Sequence, residues 1–249
     1  MTELRWLDPS EGPQGLPHPE HALKEPNGLL AAGGALAPDW LLTSYRRGIF
    51  PWYEHGQPIL WWSPDPRAVL EPRSLRISRS LRRRLNRDDF EVTADRGFAA
   101  VIDACAAPRR YTESTWITDA MRHAFVELHE LGWAHSFEAW QQRQLVGGLY
   151  GIVIGKVFFG ESMFARETDA SKVAFCHAIR FLSTCGIELI DCQLPSRHLT
   201  SLGASSLPRS AFLARLTRLT EPPGSPRSYA ASFDAFRSRR PPQKGENST

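Results

Sequence analysis

Two consecutive apolar runs near the middle of the chain restrict its fold most strongly. Residues 146–154 and 157–164 are both rich in β-branched and aromatic side chains, as strands are. Only Gly155 and Lys156 separate the two runs, and a two-residue connection that contains glycine is typical of a tight hairpin. This pattern predicts two antiparallel strands in the core of the protein.

An amphipathic segment and a third apolar run follow the hairpin. Residues 169–183 repeat apolar side chains at helical spacing, and Gly186 is placed to end that helix. Residues 187–192 form a short apolar run of the kind found in buried strands. A hairpin, a helix and a returning strand together predict a mixed sheet covered by helices, which is an α/β (α+β) fold.

Polar side chains interrupt these apolar runs. Glu161 and Asp191 lie inside predicted strands, and Gln193 follows directly after one. A carboxylate in a strand core is unfavourable unless it is paired, hydrogen-bonded or functional. A strand end that reaches solvent explains one such residue, whereas two carboxylates and an amide favour a polar-lined cleft. His135 and Glu138 also lie on a predicted strand, where satisfied polar groups on a sheet face are commoner than catalytic ones.

Composition excludes several classes of protein. The chain has 249 residues, of which 42% are hydrophobic and 23% charged, as in ordinary globular proteins. No apolar run approaches the ~20 residues that cross a bilayer, and the first residues lack a signal-peptide pattern, so we expect a cytoplasmic protein with no membrane partner. A net charge of +3 does not by itself indicate nucleic-acid binding. The cysteines lack C-x-x-C spacing and are predicted to be reduced core residues: Cys105, Cys176, Cys185 and Cys192.

A short segment, residues 77–87, carries an unusual density of arginines. Ser78 or Ser80 is suited to cap a helix there. Like charges three and four residues apart repel each other, and no acid within the segment compensates them. A solvated helix face is the alternative interpretation, but a bound phosphate polyanion would relieve the repulsion and is favoured. The arginines are Arg79, Arg82, Arg83, Arg84 and Arg87.

Tryptophans cluster in a proline-rich segment between residues 50 and 66. Trp52, Trp61 and Trp62 have two interpretations. Clustered tryptophans usually belong to a core. In a predicted loop, however, an exposed ring can stack on a nucleic-acid base, which contributes roughly 1–3 kcal/mol of binding free energy per base.

The rest of the sequence suggests how the chain divides into domains. Residues 1–28, rich in proline and glycine, are predicted to be an extended arm within a small N-terminal domain over 1–70. A larger domain is expected over 71–220, followed by a flexible tail over 221–249 with few apolar residues. Further predicted elements are strands over 67–70, 90–94 and 134–140 and helices over 98–106 and 118–131.

Several strings, in their order and spacing, resemble the leucyl/phenylalanyl-tRNA–protein transferase family. They include GLLAAGG, YRRGIFPWY, LWWSPDPRAVL, GESMF and IDCQ, and the resemblance runs from about residue 20 to residue 219. It implies a small N-terminal domain followed by a larger acetyltransferase-like (GNAT-type) domain. It also implies transfer of Leu or Phe from aminoacyl-tRNA to the N-terminal α-amine of proteins that start with Arg or Lys, which marks them for degradation. No cofactor or metal is expected, because the ester to tRNA is already activated.

The resemblance also implies roles for particular residues. Glu161 and Asp191 would bind and orient the incoming peptide, and Gln193 would donate a hydrogen bond at the reacting centre; whether Asp191 acts as a general base stays open. An apolar slot for the aminoacyl side chain would be built by Leu149, Phe158, Phe175, Leu182 and Ile190. The terminal adenosine would be bordered by Trp52 and Trp116, and the acceptor stem would be held by Arg79, Arg82, Arg83 and Arg87.

Two other functions account for part of the sequence. An acyl-CoA-dependent N-acetyltransferase shares the implied fold, but it requires a glycine-rich pyrophosphate loop, and residues 165–171 read ARETDAS instead. A non-catalytic tRNA-binding protein explains the arginines and tryptophans. It does not explain Glu161, Asp191 and Gln193 at apolar strands.

Overall fold

The computed structural model describes residues 4–107, 116–221 and 227–238, and two sheets organise them. The smaller sheet has the strand order β1-β2-β4-β3, with β1 and β2 parallel and the other pairs antiparallel. Helix α1 (Pro38–Arg46) connects its second and third strands in the chain. The strands are β1 (Arg5–Leu7), β2 (Leu29–Gly33), β3 (Phe50–Pro51) and β4 (Leu60–Trp62).

The N-terminal arm is more structured than the sequence predicted. Arg5 pairs with Ala31 and Leu7 with Gly33, so β1 is an edge strand of the small sheet, and short 3-10 turns follow it. The side chain of Leu7 is buried. A strand of three residues is too short for its alternation to be visible in the sequence, and its stability comes from pairing with β2.

The larger sheet has seven strands in the order β11-β5-β10-β9-β8-β7-β6. Only β9 and β10 pair in parallel; the other neighbours are antiparallel, and Ile154 pairs with Val157 across the predicted hairpin. The chain enters this sheet directly from the small one, between β4 and β5. The strands are β5 (Arg67–Leu70), β6 (Glu91–Ala94), β7 (Ala134–Gln141), β8 (Gln144–Ile154), β9 (Val157–Ala165), β10 (Leu189–Gln193) and β11 (Ser205–Leu207).

Helices cover both faces of the larger sheet, which confirms the predicted mixed α/β fold class. One face packs against α5 and the other against α3, which has α4 beside it. At Gly147 a Cβ would lie 2.6 Å from the Cβ of Ala170, so glycine allows α5 to begin directly against β8. The helices are α2 (Arg79–Arg87), α3 (Phe98–Ala106), α4 (Asp119–Glu130), α5 (Ala170–Thr184), α6 (Arg197–Ser201), α7 (Arg209–Thr220) and α8 (Ala230–Ser238).

Helix α8 corrects the expectation of a flexible tail over 221–249 for residues 230–238; residues 222–226 and 239–249 lie outside the described part of the chain. Phe233 is fully buried, and its ring contacts those of Phe137 and Phe181 at centroid distances of 5.7 and 5.1 Å. Tyr229 stacks on His135 at 4.0 Å. The sequence contains few apolar residues here, but the aromatic ones are spaced to bury one face of a short helix. The predicted domain boundaries at residues 70 and 220 stay predictions.

Candidate active site

A single cavity brings together most of the residues predicted for the aminoacyl side chain. Its volume is about 200 Å³, and strands β8, β9 and β10 with helices α5 and α6 form its walls. Leu182 is the exception, since it is fully buried in the adjoining core. The apolar lining includes Leu149, Phe158, Met163, Phe175, Ile190 and Leu199, and the polar lining includes Glu161, Gln193, Ser196 and His198.

Glu161 reaches the cavity because of a bulge in β9. Tyr150 pairs with Ser162 and the next residue, Gly151, pairs with Gly160, so Glu161 is the extra residue between them. A Cβ on Gly151 would lie 2.2 Å from the carbonyl oxygen of Phe159, so only glycine allows this close backbone approach. The bulge directs the carboxyl group of Glu161 toward the cavity, whose lining is mostly apolar.

The surroundings of Glu161 keep its carboxyl neutral at pH 7. Burial raises its pKa to about 8, and the negative charge of Asp191 acts in the same direction against the opposing influence of the Tyr45 hydroxyl. Oε1 accepts a hydrogen bond of 3.0 Å from Nε2 of Gln193. Among the described residues, the buried Oε2 has no hydrogen-bond partner.

Gln193 owes its position to an irregular end of β10. Its backbone is left-handed, with φ of 60°, and the strand register shifts between Asp191 and Gln193. The backbone N–H of Gln193 donates a 2.9 Å hydrogen bond to Oδ1 of Asp191. This turn directs the side-chain amide of Gln193 toward Glu161.

Asp191 is buried behind the cavity and does not line it. Nε and Nη2 of Arg67 donate to its two carboxylate oxygens at 2.8 and 2.6 Å, and both side chains are fully buried. Arg67 also donates to the carbonyl of Gly48 at 3.1 Å and lies between the rings of Phe50 and Phe212, 4.8 Å from each. The carboxylate predicted to orient a substrate therefore contacts an arginine and the backbone of Gln193.

Arg67 and His198 are site residues that the sequence analysis missed. Arg67 is the first residue of the predicted strand 67–70. The need of a buried Asp191 for a cationic partner was a signal that such a residue exists, but no spacing rule connects residues 124 positions apart. His198 lines the cavity, and among the described residues its buried Nε2 lacks a hydrogen-bond partner. Burial lowers the pKa of His198, and the cation of Lys172 lowers it further.

The three clustered tryptophans occupy different environments. Trp61 is a core residue whose Nε1 donates to the carbonyl of Gly33 at 2.8 Å. Trp52 is 40% exposed, and its carbonyl accepts a 2.6 Å hydrogen bond from Nε1 of the partly buried Trp62. Trp116 is also partly buried, directly after the segment 108–115, which lies outside the described residues.

Helix α2 presents its arginines in two ways. Ser78 caps it by accepting a hydrogen bond from the N–H of Leu81 at 3.2 Å, as predicted. Arg84 forms an ion pair with Asp89 and lies over the ring of Phe90. The others are exposed and have no ion pair with any carboxylate in the described parts of the chain: Arg79, Arg82, Arg83 and Arg87.

The polar residues on β7 form a separate, satisfied network. Glu138 accepts hydrogen bonds from the hydroxyls of Thr93 and Ser136, and Nδ1 of His135 lies 2.9 Å from Oδ2 of Asp95. Neither His135 nor Glu138 lines the cavity. Within the described ranges no group of three His, Cys, Asp or Glu side chains is placed to hold a metal ion, and no helix there is long and apolar enough to cross a membrane.

Comparison with known proteins decides the family. A sequence model of the leucyl/phenylalanyl-tRNA protein transferase family matches residues 69–217, and one of the N-terminal domain of that family matches residues 34–65. The chain belongs to this family. The transferase from Stutzerimonas stutzeri is 56% identical over 222 residues, 89% of this chain and 97% of the relative. The one from Aromatoleum aromaticum is 58% identical over 222 residues, 89% of this chain and 92% of the relative.

Membership confirms the predicted enzyme class: the chain is an aminoacyltransferase of the leucyl/phenylalanyl-tRNA–protein transferase family. Among solved structures, a GCN5-related N-acetyltransferase from Kribbella flavida is similar at a TM-score of 0.38 with 10% identity, covering 69% of this chain and 61% of that one.

Proposed function

We propose that this transferase moves Leu or Phe from aminoacyl-tRNA to the α-amino group of proteins that begin with Arg or Lys, and so marks them for degradation. One observation carries the proposal: the apolar cavity ends at the carboxyl of Glu161 and the amide of Gln193. A slot of this kind suits an uncharged aminoacyl side chain, and its polar end suits an amine. A cytoplasmic location stays a prediction.

The apolar walls provide the affinity for the donor side chain. Burying a Leu or Phe side chain contributes about 1.5–3 kcal/mol. Phe158, Phe175 and Ile190 shape the slot from three different elements, β9, α5 and β10. β-Branched amino acids carry an extra substituent next to the backbone. We expect the shape of the slot to reject them more strongly than their small difference in hydrophobicity from Leu or Phe alone would predict.

Glu161 is suited to an incoming amine because their proton affinities match. The pKa of Glu161 is about 8, and that of an α-amino group is about 7.7–8.0. A proton therefore moves between the two groups at little free-energy cost. Once Glu161 is ionised, its Oε2 atom, which lacks a hydrogen-bond partner among the described residues, can accept from the amine or from the cationic first side chain.

The reaction itself needs positioning more than a strong base. The amine nitrogen attacks the ester carbonyl, a C–N bond forms, and the C–O bond to the terminal ribose breaks. The ribose oxygen leaves and takes up the proton that the amine gives up. Holding the two reactants side by side removes much of the entropic barrier to such a step. Asp191 contributes as a positioning residue, because it holds the turn that carries Gln193.

The exposed arginines of α2 and the exposed ring of Trp52 support tRNA as the donor. Four cations without acidic partners in the described chain form a surface that suits a phosphate backbone. Trp52 and Trp116 are proposed to contact the terminal adenosine by stacking.

Labelled Leu-tRNA or Phe-tRNA incubated with matched peptides tests the proposal. We expect label to appear on peptides that begin with Arg or Lys and not on the same peptides beginning with Ala or Asp. Transfer to all four peptides would contradict the proposed acceptor range. Retained tRNA binding without transfer would instead support a non-catalytic binding protein, and consumption of acetyl-CoA an N-acetyltransferase.

A further inference from the structure

One hydrogen bond connects the two chain segments that carry Trp52 and Trp116. The hydroxyl oxygens of Tyr53 and Thr118 lie 3.1 Å apart, although the residues are 65 positions apart in the sequence. Tyr53 directly follows Trp52, and the backbone N–H of Thr118 donates to the carbonyl of Trp116 at 3.1 Å. The bond therefore joins the chain after β3 to the first turn of α4.

Trp52 has several other attachments close to it. Its N–H donates to the carbonyl of Leu60 at 2.9 Å, and its carbonyl accepts from the indole of Trp62. The rings of Trp52 and Trp62 meet edge to face at a centroid distance of 5.5 Å. The small sheet thus fixes the backbone of Trp52 and leaves its ring exposed.

Trp116 is held from the side of α4. Ile117 is buried in the core, and Thr118 caps α4 by accepting a hydrogen bond from the N–H of Met121 at 3.3 Å. The distance between the two tryptophan-bearing segments then depends on what joins Thr118 to the small sheet. Tyr53 provides a polar connection through its hydroxyl, in addition to the apolar packing of the shared core.

The Tyr53 hydroxyl has no evident packing role. The side chain is only 7% exposed and belongs to the hydrophobic core, where a phenyl ring would fill nearly the same volume. Burying a hydroxyl is unfavourable unless it is hydrogen-bonded, and Thr118 offers a partner. The value of tyrosine at this position therefore lies in the bond it makes across the site.

We propose that the Tyr53–Thr118 hydrogen bond is a positioning contact that sets the spacing of the Trp52 and Trp116 segments for the terminal adenosine. This rests on the proposed function, in which both rings stack on that nucleoside. Rings held at the required spacing before the ligand arrives lose less conformational freedom on binding. The contact acts on the binding of the donor and leaves the chemical step unchanged.

The test uses the full chain and two ligands, Phe-tRNA and a phenylalanyl-adenosine with a non-hydrolysable 3′-amide link. For Tyr53→Phe we expect about a 3- to 10-fold rise in the Kd of the adenosine compound and in the KM for Phe-tRNA, the size that loss of one hydrogen bond produces, with kcat unchanged. A changed kcat with an unchanged Kd would overturn the proposal.

Variants of Thr118 separate positioning from folding. Thr118→Ser keeps the hydroxyl and should retain the wild-type Kd, whereas Thr118→Val should raise it. Tyr53→Phe added to Thr118→Val should raise Kd no further, since the bond is already lost. Additive losses would overturn the proposal, and so would a lowered Tm with unchanged affinity.

Trp52→Ala distinguishes this inference from the function on which it rests. If Trp52→Ala does not weaken binding of the adenosine compound, the proposed stacking and the positioning contact are both wrong. If it weakens binding while Tyr53→Phe does not, the stacking stands and the positioning contact alone is wrong.

Discussion

Arg67 is enclosed by groups that all interact with its charge. It binds both carboxylate oxygens of Asp191 and the carbonyl of Gly48, and aromatic rings lie on either side of it. A buried ion pair contributes little net stability compared with apolar residues, but removing one partner leaves an uncompensated charge. The pair therefore constrains geometry, because each of the three guanidinium nitrogens donates a hydrogen bond to Asp191 or Gly48.

Replacing Asp191 should damage both stability and catalysis. For Asp191→Asn we expect the free energy of unfolding to fall by about 3–5 kcal/mol, because Arg67 keeps its buried charge without a counter-charge. We also expect kcat to fall far more than the affinity for aminoacyl-tRNA, because the turn at Gln193 loses its anchor. Denaturant unfolding and steady-state kinetics measure the two effects.

Two further variants show whether the losses in Asp191→Asn come from the buried ion pair. Asp234→Asn removes a half-exposed partner of Arg96 and should change the unfolding free energy by less than about 1 kcal/mol. Arg67→Met with Asp191→Leu should recover stability without recovering kcat. Full turnover in Asp191→Asn would remove Asp191 from the catalytic arrangement.

Glu161 predicts an unusual dependence of stability on pH. Its pKa rises from 4.5 to about 8 on folding, so between these values the folded chain holds a proton that the unfolded chain has released. Stability from this group is full below pH 4.5 and is lost as pH rises to about 8, by up to ~1.4 kcal/mol per pH unit. Glu161→Gln should flatten this decline, which urea unfolding at several pH values measures. Glu188→Gln, a change at an exposed carboxylate, should leave the decline intact.

At the scale of elements, α2 is the part of the surface best suited to tRNA. Arg82→Glu with Arg83→Glu should weaken tRNA binding and reduce the steepness of log K against log salt by roughly 1–2, since each lost phosphate contact contributes somewhat less than one. Filter binding at several salt concentrations gives the slope. The matched control reverses two exposed arginines elsewhere, Arg73 and Arg218, for the same change in net charge. An unchanged slope in the α2 variant would move the tRNA contact to another surface.

Helix α8 should contribute to stability in spite of its place near the C-terminus. Phe233→Ala removes a fully buried ring packed among Phe137, Phe181 and Phe236, and such truncations cost about 3–5 kcal/mol. The control Ala235→Ser alters an exposed position on the same helix. If thermal unfolding gave equal Tm values for both variants, α8 would not be packed in solution.

The elements that the sequence predicted well are those with strong local periodicity. The helix over 98–106 has the bounds of α3, and the one over 169–183 differs from α5 by one residue at each end. β1 and α8 were missed because they are short and depend on pairing or on aromatic contacts with distant segments. Local pattern does not contain that information.

The candidate site divides in the same way. Carboxylates in apolar runs were the reason to predict Glu161 as a site residue; the structure places it at the cavity, and its role stays a prediction. The same argument placed Asp191 in the cleft, but its partner, Arg67, belongs to a strand 124 residues earlier, and only the sheet order β5-β10-β9 brings them together. Sequence indicates that a buried charge needs a partner, and tertiary structure decides which one.

At the scale of the whole molecule, the two sheets share one core. Tyr45 of α1 meets the ring of Phe159 of β9 at 5.2 Å, and Trp61 of the small sheet belongs to the same cluster. We therefore expect tryptophan fluorescence and far-UV circular dichroism to follow one coincident unfolding transition in urea. Two separated transitions would show that the predicted N-terminal domain over 1–70 folds on its own.

The Arg67 contacts also have a consequence for biosynthesis. Ribosomes deliver Arg67 and its aromatic neighbour Phe50 early, while the counter-charge follows 124 residues later. Until then Arg67 has no counter-charge, and Gln193, which Asp191 holds in its turn, has not yet been made. A copy that ends before residue 191 therefore lacks the counter-charge, Gln193 and the α6 wall of the cavity, and we expect no transfer from it.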